Sequence, residues 1–448
     1  MHKIYLYFLI ITFCFGQTVT FNEVLNYTLQ NNKDLKNSKL NITLSDLNIK
    51  EADSLNFGKL SIINKTNRTN HAGYVFNSKL SSREATFKDF GFAQMNEPIN
   101  TKPKDLNYPS SRTNINTKLT YDLALFTGFR IKTKKDILKL EKKVNKLKHS
   151  MNKTELTFEV FKAYNAVVVA KQFIQALKES KNSVQKVLNS SRSFYKEGLI
   201  TSIDVKQAKA YELQIEASLA EAKKNFLFAL EYLRFLSSNK NITDVNSFEY
   251  LNLDLTQKNN LYSKALTQKD KLKVMQLYKS ITKKSIDIAK STYYPQIYSH
   301  LEYGYNDNNI DFSNQNDYYN AVIAIKYTLF DNTRDTQYQK SRILYHKASI
   351  NYEKQKDYLK LELSNAFEEL SAKQIVLSQK KQFLKLAKAI FIQSEKMYKN
   401  HLISMTDLLK QKANFQKAKA ELIEAKYNKE IAKAKIAKIV NLDFKGLK

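Results

Sequence analysis

The stretch FYKEGLITSIDVKQAKA, residues 194–210, recurs 203 positions later as MYKNHLISMTDLLKQKA, residues 397–413. Each copy lies between two long segments that are almost free of Gly and Pro, the residues that most often interrupt helices. The repeat therefore predicts the same turn between two long helices, made twice by one chain. The identical pairs are Tyr195 and Tyr398, Lys196 and Lys399, Leu199 and Leu402, Ile200 and Ile403, Asp204 and Asp407, Lys209 and Lys412, and Ala210 and Ala413.

The repetition extends beyond the turns. Residues 29–60 align with 266–297 at an offset of 237, and residues 119–130 align with 323–334 at an offset of 204. Such a period indicates an internal duplication. The fall in offset from 237 to 204 means that the first copy carries 33 additional residues between its two aligned blocks. We expect this insertion in a surface loop and not in a packed element, because insertions are best tolerated there.

Each copy is predicted to contain a helix, a strand, a loop, a strand, a long helix, a turn and a second long helix. The first repeat covers residues 17–236 and the second 260–448. An Asn- and Ser-rich linker, 237–259, has no helical period, and we expect it to lie outside the main body. The predicted strands are about 60–66, 115–126, 296–305 and 319–329, and the predicted helical hairpins are about 130–236 and 334–441.

The long helices carry a regular apolar stripe. Its members recur every three or four positions, as coiled-coil-like packing requires. An ordinary helical bundle core would show the same stripe, but hairpins of this length favour an extended rod or tube. In the first copy the stripe contains Ile215, Leu219, Ala222, Phe226, Leu230 and Leu233.

Composition and the N-terminus limit the class of protein. The formal net charge is +30, but the Lys residues are scattered along the chain among acidic and amide residues, which favours a solvated surface over a nucleic-acid patch. Residues 1–16 have the basic start and short apolar run of a secretory signal peptide. Cleavage there would remove Cys14, the one cysteine, whereas lipidation of Cys14 is the alternative. An exported chain has no nucleic-acid partner.

Residues 115–126 alternate strictly between two faces. Ile115, Leu119 and Leu123 point one way, and Lys118 and Asp122 point the other. The length and the alternation fit a tilted strand that crosses a bilayer, although a half-solvated antiparallel sheet would also alternate. Four strands cannot close a barrel with a pore, and lipid does not tolerate open sheet edges. If these strands lie in a membrane, the chain must therefore form a homo-oligomer.

Taken together, these features resemble the TolC-type outer-membrane efflux and export channels, the outer membrane factors. The resemblance covers essentially the whole mature chain. It rests on the duplicated order behind a signal peptide, on the strand-to-helix junctions LFTGFR (125–130) and LFDNTR (329–334), and on the turns YKEGLITSIDV (195–205) and YKNHLISMTDL (398–408). Each motif is short and degenerate, whereas their duplicated order is specific.

The resemblance implies a mainly α fold with membrane β structure. Its units of helix, strands and helical hairpin would form a homotrimer, in which a 12-stranded β-barrel in outer-membrane lipid continues as a long periplasmic α-helical barrel. The linker would lie in an equatorial belt. The implied function is a passive exit duct of a tripartite efflux or type I secretion system, joined to a periplasmic adaptor protein and to an inner-membrane pump or ABC exporter.

The resemblance also implies site residues at the turns. By position, Tyr398 and Asp407 match the periplasmic constriction, and Asp204 matches an acidic partner in the first copy. The adaptor would dock on the turns. Some members of the family carry a second pore-facing Asp where this chain has Lys410, and a pairing Arg position is Ile403 here, which changes the expected ion selectivity and salt bridges of the gate. The docking residues are Gly198, Leu199, Ile200, His401, Leu402 and Ile403.

These residues also have a purely structural interpretation. Asp204 and Asp407 each follow a turn near the start of a helix, where an acidic side chain caps the helix or complements its dipole. The second turn carries His401 where the first carries Gly198. A left-handed conformation is free for Gly and strained for His.

The sequence contains no recognisable catalytic motif, no metal-spaced cysteines and no cofactor signature, so we predict neither an enzyme nor a metal or cofactor site. The alternative is an exported periplasmic coiled-coil adaptor or structural protein without a pore. A single-hairpin adaptor would carry Gly-rich β domains, whereas this chain has two predicted hairpins and 8 Gly. The sequence leaves the cargo open among drugs, metal ions and proteins.

Overall fold

The computed structural model describes residues 17–253, 258–310, 312 and 315–442; the predicted signal peptide and Cys14 lie outside the described residues. The first repeat contains β1 (Gln17–Val19), α1 (Phe21–Asn31), α2 (Lys33–Ser54), β2 (Lys59–Thr69), α3 (Ala72–Ser81), α4 (Lys104–Asn107), β3 (Arg112–Phe126), α5 (Arg130–Lys196) and α6 (Ser202–Ser237). The rest of the chain contains β4 (Ile242–Val245), α7 (Lys258–Gln268), α8 (Asp270–Lys290), β5 (Gln296–Asp307), β6 (Asp317–Lys326), α9 (Asn332–Lys399) and α10 (Met405–Val440).

The chain divides into two compact units. The sheet unit consists of Thr43–Lys143 and Leu277–Ser349. The helical unit consists of Met1–Ile42, Val144–Gln276 and Ile350–Lys448. The four helices α2, α5, α8 and α9 contribute residues to both units. Within the described ranges, none of the helices combines the length and the apolar character that crossing a membrane requires.

The sheet unit contains one antiparallel sheet with the strand order β2-β3-β5-β6. Residues that lie opposite each other on paired strands point to the same side, so the register defines two faces. The apolar face carries Leu60, Ile62, Leu119, Tyr121, Leu301, Tyr303, Ile323 and Ile325, most of them exposed. The polar face carries Lys59, Lys65, Asn116, Lys118, Asp122, His300, Glu302 and Asn320. The register confirms the predicted alternation from Ile115 to Ala124, and a bulge interrupts it between Ala124 and Phe126.

All four strands differ from their predicted bounds: β3 begins at Arg112 and not at 115, β5 ends at Asp307 and not at 305, and β2 and β6 differ as follows. β2 covers Lys59–Thr69 and not only 60–66, because β3 pairs with all of it although the β2 side chains hardly alternate. β6 ends at Lys326 and not at 329. The reason is that Lys326 pairs with Gln296, the first residue of β5, and β5 has no residue beyond it to continue the ladder.

The 33-residue insertion lies between β2 and β3, as predicted, but it contains packed structure. Helix α3 forms its first part, and both Val75 and Ser78 on this helix are buried. The Ser78 hydroxyl donates a hydrogen bond to Asn114 of β3 over 3.0 Å. The expectation of an unpacked surface loop was therefore wrong, because this segment has its own contact with the sheet.

The core of the helical unit is built around α5. Phe161 and Tyr164 are fully buried, and each ring packs edge-on against Phe21 of α1 with ring centroids 5.7 Å apart. Helix α1 begins where the Thr20 backbone N–H and hydroxyl both donate to the Glu23 carboxylate, at 2.8 and 2.9 Å. This capping arrangement satisfies donors that a helix start leaves free.

The linker between the repeats also joins this core. β4 pairs in parallel with β1, and Ile242, Val245 and Leu251 are almost completely buried. The expectation that residues 237–259 lie outside the main body was wrong for this described part. Each of these apolar side chains contributes about 1.5–3 kcal/mol when it is fully buried, which outweighs the polar composition around it.

A buried carboxylate on α10 holds the linker in place. Glu430 is 1% exposed, and its Oε2 accepts a hydrogen bond from the Leu251 N–H at 3.2 Å. Lys433 donates from Nζ to the Leu251 carbonyl at 3.3 Å and lies 3.5 Å from Glu430 Oε1. The backbone of Leu251 is therefore satisfied by two side chains of α10.

Replacing Glu430 with Ala would leave the buried Leu251 N–H and the Lys433 ammonium without their carboxylate. We expect the free energy of unfolding to fall by about 2–3 kcal/mol. Glu430→Gln keeps an acceptor oxygen and should lose less. Glu424→Ala, at an exposed position of α10, is the matched control. Thermal denaturation followed by circular dichroism measures the effect, and equal losses for Glu430→Ala and Glu424→Ala would contradict it.

Candidate functional site: the paired helix turns

The two repeated segments form the predicted turns, between α5 and α6 and between α9 and α10. Each turn contains one residue in the left-handed conformation, Gly198 with φ +75° and His401 with φ +59°. The N–H groups of Leu199 and Leu402 each donate to the carbonyl five residues earlier at 2.9 Å. This closure is the hydrogen bond that ends helices at a left-handed residue. The two turns thus share one backbone geometry, although His adopts it at a steric cost.

Both acidic site residues lie in the first turn of the helix that follows, beside its N-terminal cap. The Asp204 carboxylate accepts hydrogen bonds from the Thr201 N–H at 3.0 Å and from the Thr201 hydroxyl at 2.8 Å. The Ser404 hydroxyl donates to Asp407 Oδ2 at 2.6 Å and accepts from the Asp407 N–H at 3.1 Å. Asp204 thus completes a capping box, as the structural interpretation predicted, whereas Ser404 caps the second helix and Asp407 bonds to that cap and complements the helix dipole. A capping carboxylate still carries its charge at the turn, so it remains able to act on ions there.

The two turns lie against each other. The Thr406 hydroxyl donates to Gln207 Oε1 over 3.2 Å, and the ring of Phe194 lies 5.4 Å from that of His401. Beneath them is a small core, which the first and second copies build together. Its buried members are Leu188, Ala208, Phe391, Tyr398, Met405 and Leu408. The structure therefore brings the sequence-predicted residues of both copies to one end of the helical unit.

Tyr398 is a buried member of this core. It is 6% exposed, whereas its repeat equivalent Tyr195 is half exposed. Its hydroxyl lies 3.5 Å from Ser191 Oγ, and burial raises the pKa of Tyr398. The side chain of Tyr398 thus packs α9 onto α5 within the protomer. A role in a constriction stays a prediction for this residue.

Apolar side chains occupy the tips of the turns. Leu199 and Leu402 are exposed, and Ile200 and Ile403 are half-buried. An exposed Leu on its own is ordinary, but these lie at equivalent places in two adjacent turns. This arrangement can provide an apolar surface for a partner, and the predicted docking of an adaptor here stays a prediction.

The structure also contains a buried lysine that the sequence analysis did not single out. Lys412 of α10 is 6% exposed, and its Nζ donates to Ser183 Oγ of α5 at 2.7 Å. The ammonium lies 4.4 Å from the ring centroid of Phe391, which stacks on Phe415 with an interplanar angle of 7°. Burial lowers the pKa of Lys412 to about 8. Aromatic faces and one hydroxyl therefore replace the water that would normally solvate this charge.

A cleft of about 360 Å³ adjoins Lys412 between α5 and α10. Two buried polar atoms of its wall, Ser180 Oγ and Gln416 Nε2, have no hydrogen-bond partner. On its rim, Lys419 forms an ion pair with Glu179, and the hydrogen bond from Lys419 lowers the pKa of Glu179. Among the described residues, no group of three or more His, Cys, Asp or Glu side chains is arranged to hold a metal ion.

The repeat comparison contains an indication of this buried lysine. At the offset of 203, Lys412 matches Lys209 and Phe415 matches Glu212. In the first copy Glu212 is buried and bonds to the half-exposed Lys209 at 2.5 Å. The second copy therefore keeps the cation and replaces its anionic partner with an aromatic ring. That exchange predicts a different environment for the second lysine.

Replacing Gly198 with Ala should destabilise the protein by about 1 kcal/mol, because the left-handed backbone is strained for any side chain. An added Cβ meets no atom within 4 Å, so the backbone penalty is isolated from packing. Gly73→Ala, within α3 and in ordinary contact with His71, is the control and should stabilise by about 0.5–1 kcal/mol. The prediction would be contradicted if Gly198→Ala and Gly73→Ala moved the midpoint of thermal denaturation in the same direction.

Replacing Lys412 with Met should change how stability depends on pH. The folded-state pKa of about 8 lies below the usual value of 10.5, so the unfolded chain binds more protons between these values. The wild type should therefore gain on the order of 3 kcal/mol relative to Lys412→Met as pH rises from about 8 to about 10.5. Lys417→Met, at an exposed position, should follow the wild type. If the free energy of unfolding varied with pH in the same way in all three proteins, the burial of a charge at Lys412 would be contradicted.

The comparisons with known proteins agree with this fold. The family model of the outer membrane efflux protein matches residues 24–239 and 261–442. No curated protein matches the sequence. The chain is similar to a membrane protein from Pseudomonas aeruginosa, with a TM-score of 0.77 and 13% identity over 94% of this chain and 93% of that one.

Two solved channels give the same result. The outer membrane channel CmeC of Campylobacter jejuni has a TM-score of 0.76 and 15% identity, over 94% of this chain and 85% of that one. The outer membrane protein VceC of Vibrio cholerae has a TM-score of 0.74 and 13% identity, over 95% and 96%. The resemblance to TolC-type channels and the expected outer-membrane localisation are confirmed, and the adaptor alternative is not favoured. The duplicated chain belongs to the outer membrane efflux protein family.

Proposed function

We propose that this chain is the passive exit duct of a tripartite efflux or secretion system, conducting substrate across the periplasm and the outer membrane. The observation that carries the proposal is the two-faced sheet of β2, β3, β5 and β6 on a chain whose family is that of outer membrane efflux proteins. One face is apolar and exposed, as contact with lipid requires, and the other is polar. The duct supplies no energy, which comes from its partners.

The sheet supports assembly as a homotrimer. β2 and β6 are its two edge strands, and each leaves backbone N–H and C=O groups without a partner in the sheet. Unpaired backbone groups cost several kcal/mol each in hydrocarbon, so the edges must pair with those of other copies. Three copies of the four-stranded sheet give a 12-stranded barrel. In such a barrel β6 of one copy pairs with β2 of the next.

The polar face suits the lining of the barrel. Lys118 donates to Glu302 at 2.8 Å, and the Tyr318 hydroxyl donates to the same carboxylate at 2.7 Å. His300 Nδ1 lies 2.6 Å from Asp122 Oδ1. These pairs join β3, β5 and β6 across the sheet. A network of this kind is costly in hydrocarbon and stable beside water, which supports its position in the lumen.

The paired turns support a gate and a docking site. In a trimer, Asp204 and Asp407 would each form a ring of three carboxylates, where repulsion between like charges favours opening and bound cations favour closure. Tyr398 would set the closed packing of α9 against α5. The exposed Leu199 and Leu402 would contact the adaptor, which links the duct to an inner-membrane pump or ABC exporter. The polar and apolar features named above are compatible with drug, metal-ion or protein cargo.

A charge placed on either face of β6 tests the orientation of the sheet. Ile323 lies on the apolar face and Asn320 on the polar face of the same strand. Arg on a lipid-facing strand position costs about 2–4 kcal/mol. Ile323→Arg should therefore abolish heat-modifiable trimers in the outer-membrane fraction, and Asn320→Arg should retain them. A sheet that is half-solvated in water would tolerate both, and a detergent-independent soluble protein would exclude the duct.

Replacing Asp407 with Asn tests the acidic ring. Asn retains an oxygen that can accept from the Ser404 hydroxyl, so the helix cap persists while three charges leave the trimer. We expect multivalent cations added from the turn side to block the current at least tenfold less strongly in planar bilayers. Asp335→Asn, in the first turn of α9, is a control for the loss of charge alone. Unchanged cation block in Asp407→Asn would exclude the ring.

A further inference from the structure

The 33-residue insertion is placed on one particular face of the sheet. A cavity of about 370 Å³ lies between α3 and the strands. Its α3 wall is formed by five residues, among them Val75 and Ser78, and nine strand residues form the opposite wall. Every one of those nine belongs to the polar face by the register. Helix α3 therefore covers the polar face and none of the apolar face in this region.

Arg112, the first residue of β3, fastens α3 to the sheet. Its Nε donates to Ser78 Oγ at 3.0 Å, its Nη2 donates to Ser82 Oγ at 2.9 Å, and it forms an ion pair with Glu84. Ser78 in turn donates to Asn114. Ser78 and Ser82 are both buried. The contact is thus a satisfied polar network beneath a helix, which differs from the loose packing of a surface loop.

A second set of hydrogen bonds joins the insertion to the other edge of the sheet. Arg83 follows α3 in the left-handed conformation, with φ +59°. Its Nη1 donates to the Gln315 carbonyl at 2.7 Å and its Nη2 to the Asp317 carbonyl at 2.8 Å. Asp317 is the first residue of β6, whereas the insertion leaves the sheet from β2, the opposite edge strand. The inserted segment therefore reaches from one edge strand to the other at this end of the sheet.

We infer that the insertion is a plug, which folds inward over the lumen-facing side of the sheet and limits the size of solute that passes the outer mouth. The inference rests on the proposed function, because the polar face becomes the lumen only when copies close a barrel. The covered end of the sheet is the one at which the chain passes from β2 to β3. Helix α2 precedes β2 and α5 follows β3, both at the opposite end of these strands. In the proposed trimer the covered end is the end away from the periplasm.

The dimensions of the proposed barrel indicate that the insertions would restrict the passage of solutes. Strands about 4.8 Å apart and tilted by about 40° give a 12-stranded barrel a backbone diameter of roughly 24 Å. Three helices, each about 10 Å across, would occupy roughly half of that cross-section. The α3 helices of a trimer would thus leave room for ions and small polar solutes, and large solutes would need the plug to move.

The strand register shows where the insertion can be removed without changing the pairing of β2 with β3. Thr69 and Arg112 are directly paired, so residues 70–111 can be replaced by an Asn-Gly hairpin turn. If the insertion is a plug, the deletion should raise single-channel conductance in planar bilayers by about twofold or more, as the occupied cross-section suggests. It should also admit larger oligosaccharides in liposome swelling. Trimers with unchanged conductance and an unchanged size limit would overturn the inference.

Point variants test the plug in a chain that keeps the insertion. Arg112→Gln removes the ion pair beneath α3, whereas Arg68→Gln on β2 removes hydrogen bonds to Thr113 and Ser111 that do not involve α3. Conductance should rise or fluctuate in Arg112→Gln and match the wild type in Arg68→Gln. If the current recordings of Arg112→Gln and Arg68→Gln were the same, the plug would be contradicted.

Chemical labelling gives an independent measurement in a Cys14→Ser background. Asn77→Cys on the cavity wall should lose current when a thiol-reactive cation is added, and Ile323→Cys on the apolar face should not. Current loss at Asn77 supports the plug, and insensitivity there overturns it. If the wild type itself forms neither trimers nor pores, the proposed function fails first and the inference fails with it.

Discussion

The unpaired backbone edges of β2 and β6 are the constraint on which the other features depend. Both edges expose N–H and C=O groups that neither lipid nor an apolar surface can satisfy. The same sheet has an exposed apolar face, which makes an isolated protomer in water prone to association. In the proposed trimer, pairing between copies would satisfy the edges, and lipid would cover the apolar face. The polar face would then point inward, and the proposed lumen follows from the need of both sheet edges for hydrogen-bond partners.

Duplication supplied two similar halves, and divergence made them unequal. The turns keep the same closing hydrogen bond and an acidic residue in the first turn of the next helix, although Gly198 is replaced by His401. Further along the next helix, the buried Glu212 of the first copy pairs with the half-exposed Lys209, whereas Lys412 of the second copy lies against stacked aromatic rings. Backbone geometry was thus retained while the chemistry around it changed. A copy that is free to change in this way can acquire a role of its own within an assembly.

Sequence periodicity predicted the parts of the structure that depend on local pattern. The turns and the two hairpins follow from the repeat and its helical spacing, and the two faces of residues 115–124 follow from alternation, because buried faces recur at 3.6 or 2 residues. The burial of Ile242 and Leu251 was not predicted, because three-dimensional contact with α5 and α10 decides it and the surrounding Asn and Ser residues conceal it. The packing of α3 was missed for the same reason, since Arg112 and Ser78 look like ordinary loop residues in sequence.

The candidate site was predictable in position and less so in detail. Asp204 and Asp407 were placed at the turns by sequence, and their capping bonds were one of the two interpretations offered. The burial of Tyr398 depends on Ser191 and Phe194, which lie about 200 residues away, so no local window contains that information. Lys412 is similar, because its environment is built by α5 and α9 as well as α10.

The parallel pairing of β1 with β4 has a consequence for how the chain folds. Gln17 at the start of β1 lies beside Ile242, which follows the entire first repeat. Val19 is buried in the same core, so this first strand cannot reach its native place until the second strand has been synthesised and delivered. Contacts between such distant positions form slowly, because a long loop must close before they are made. The first described residues of the chain are therefore expected to be among the last to form their native contacts.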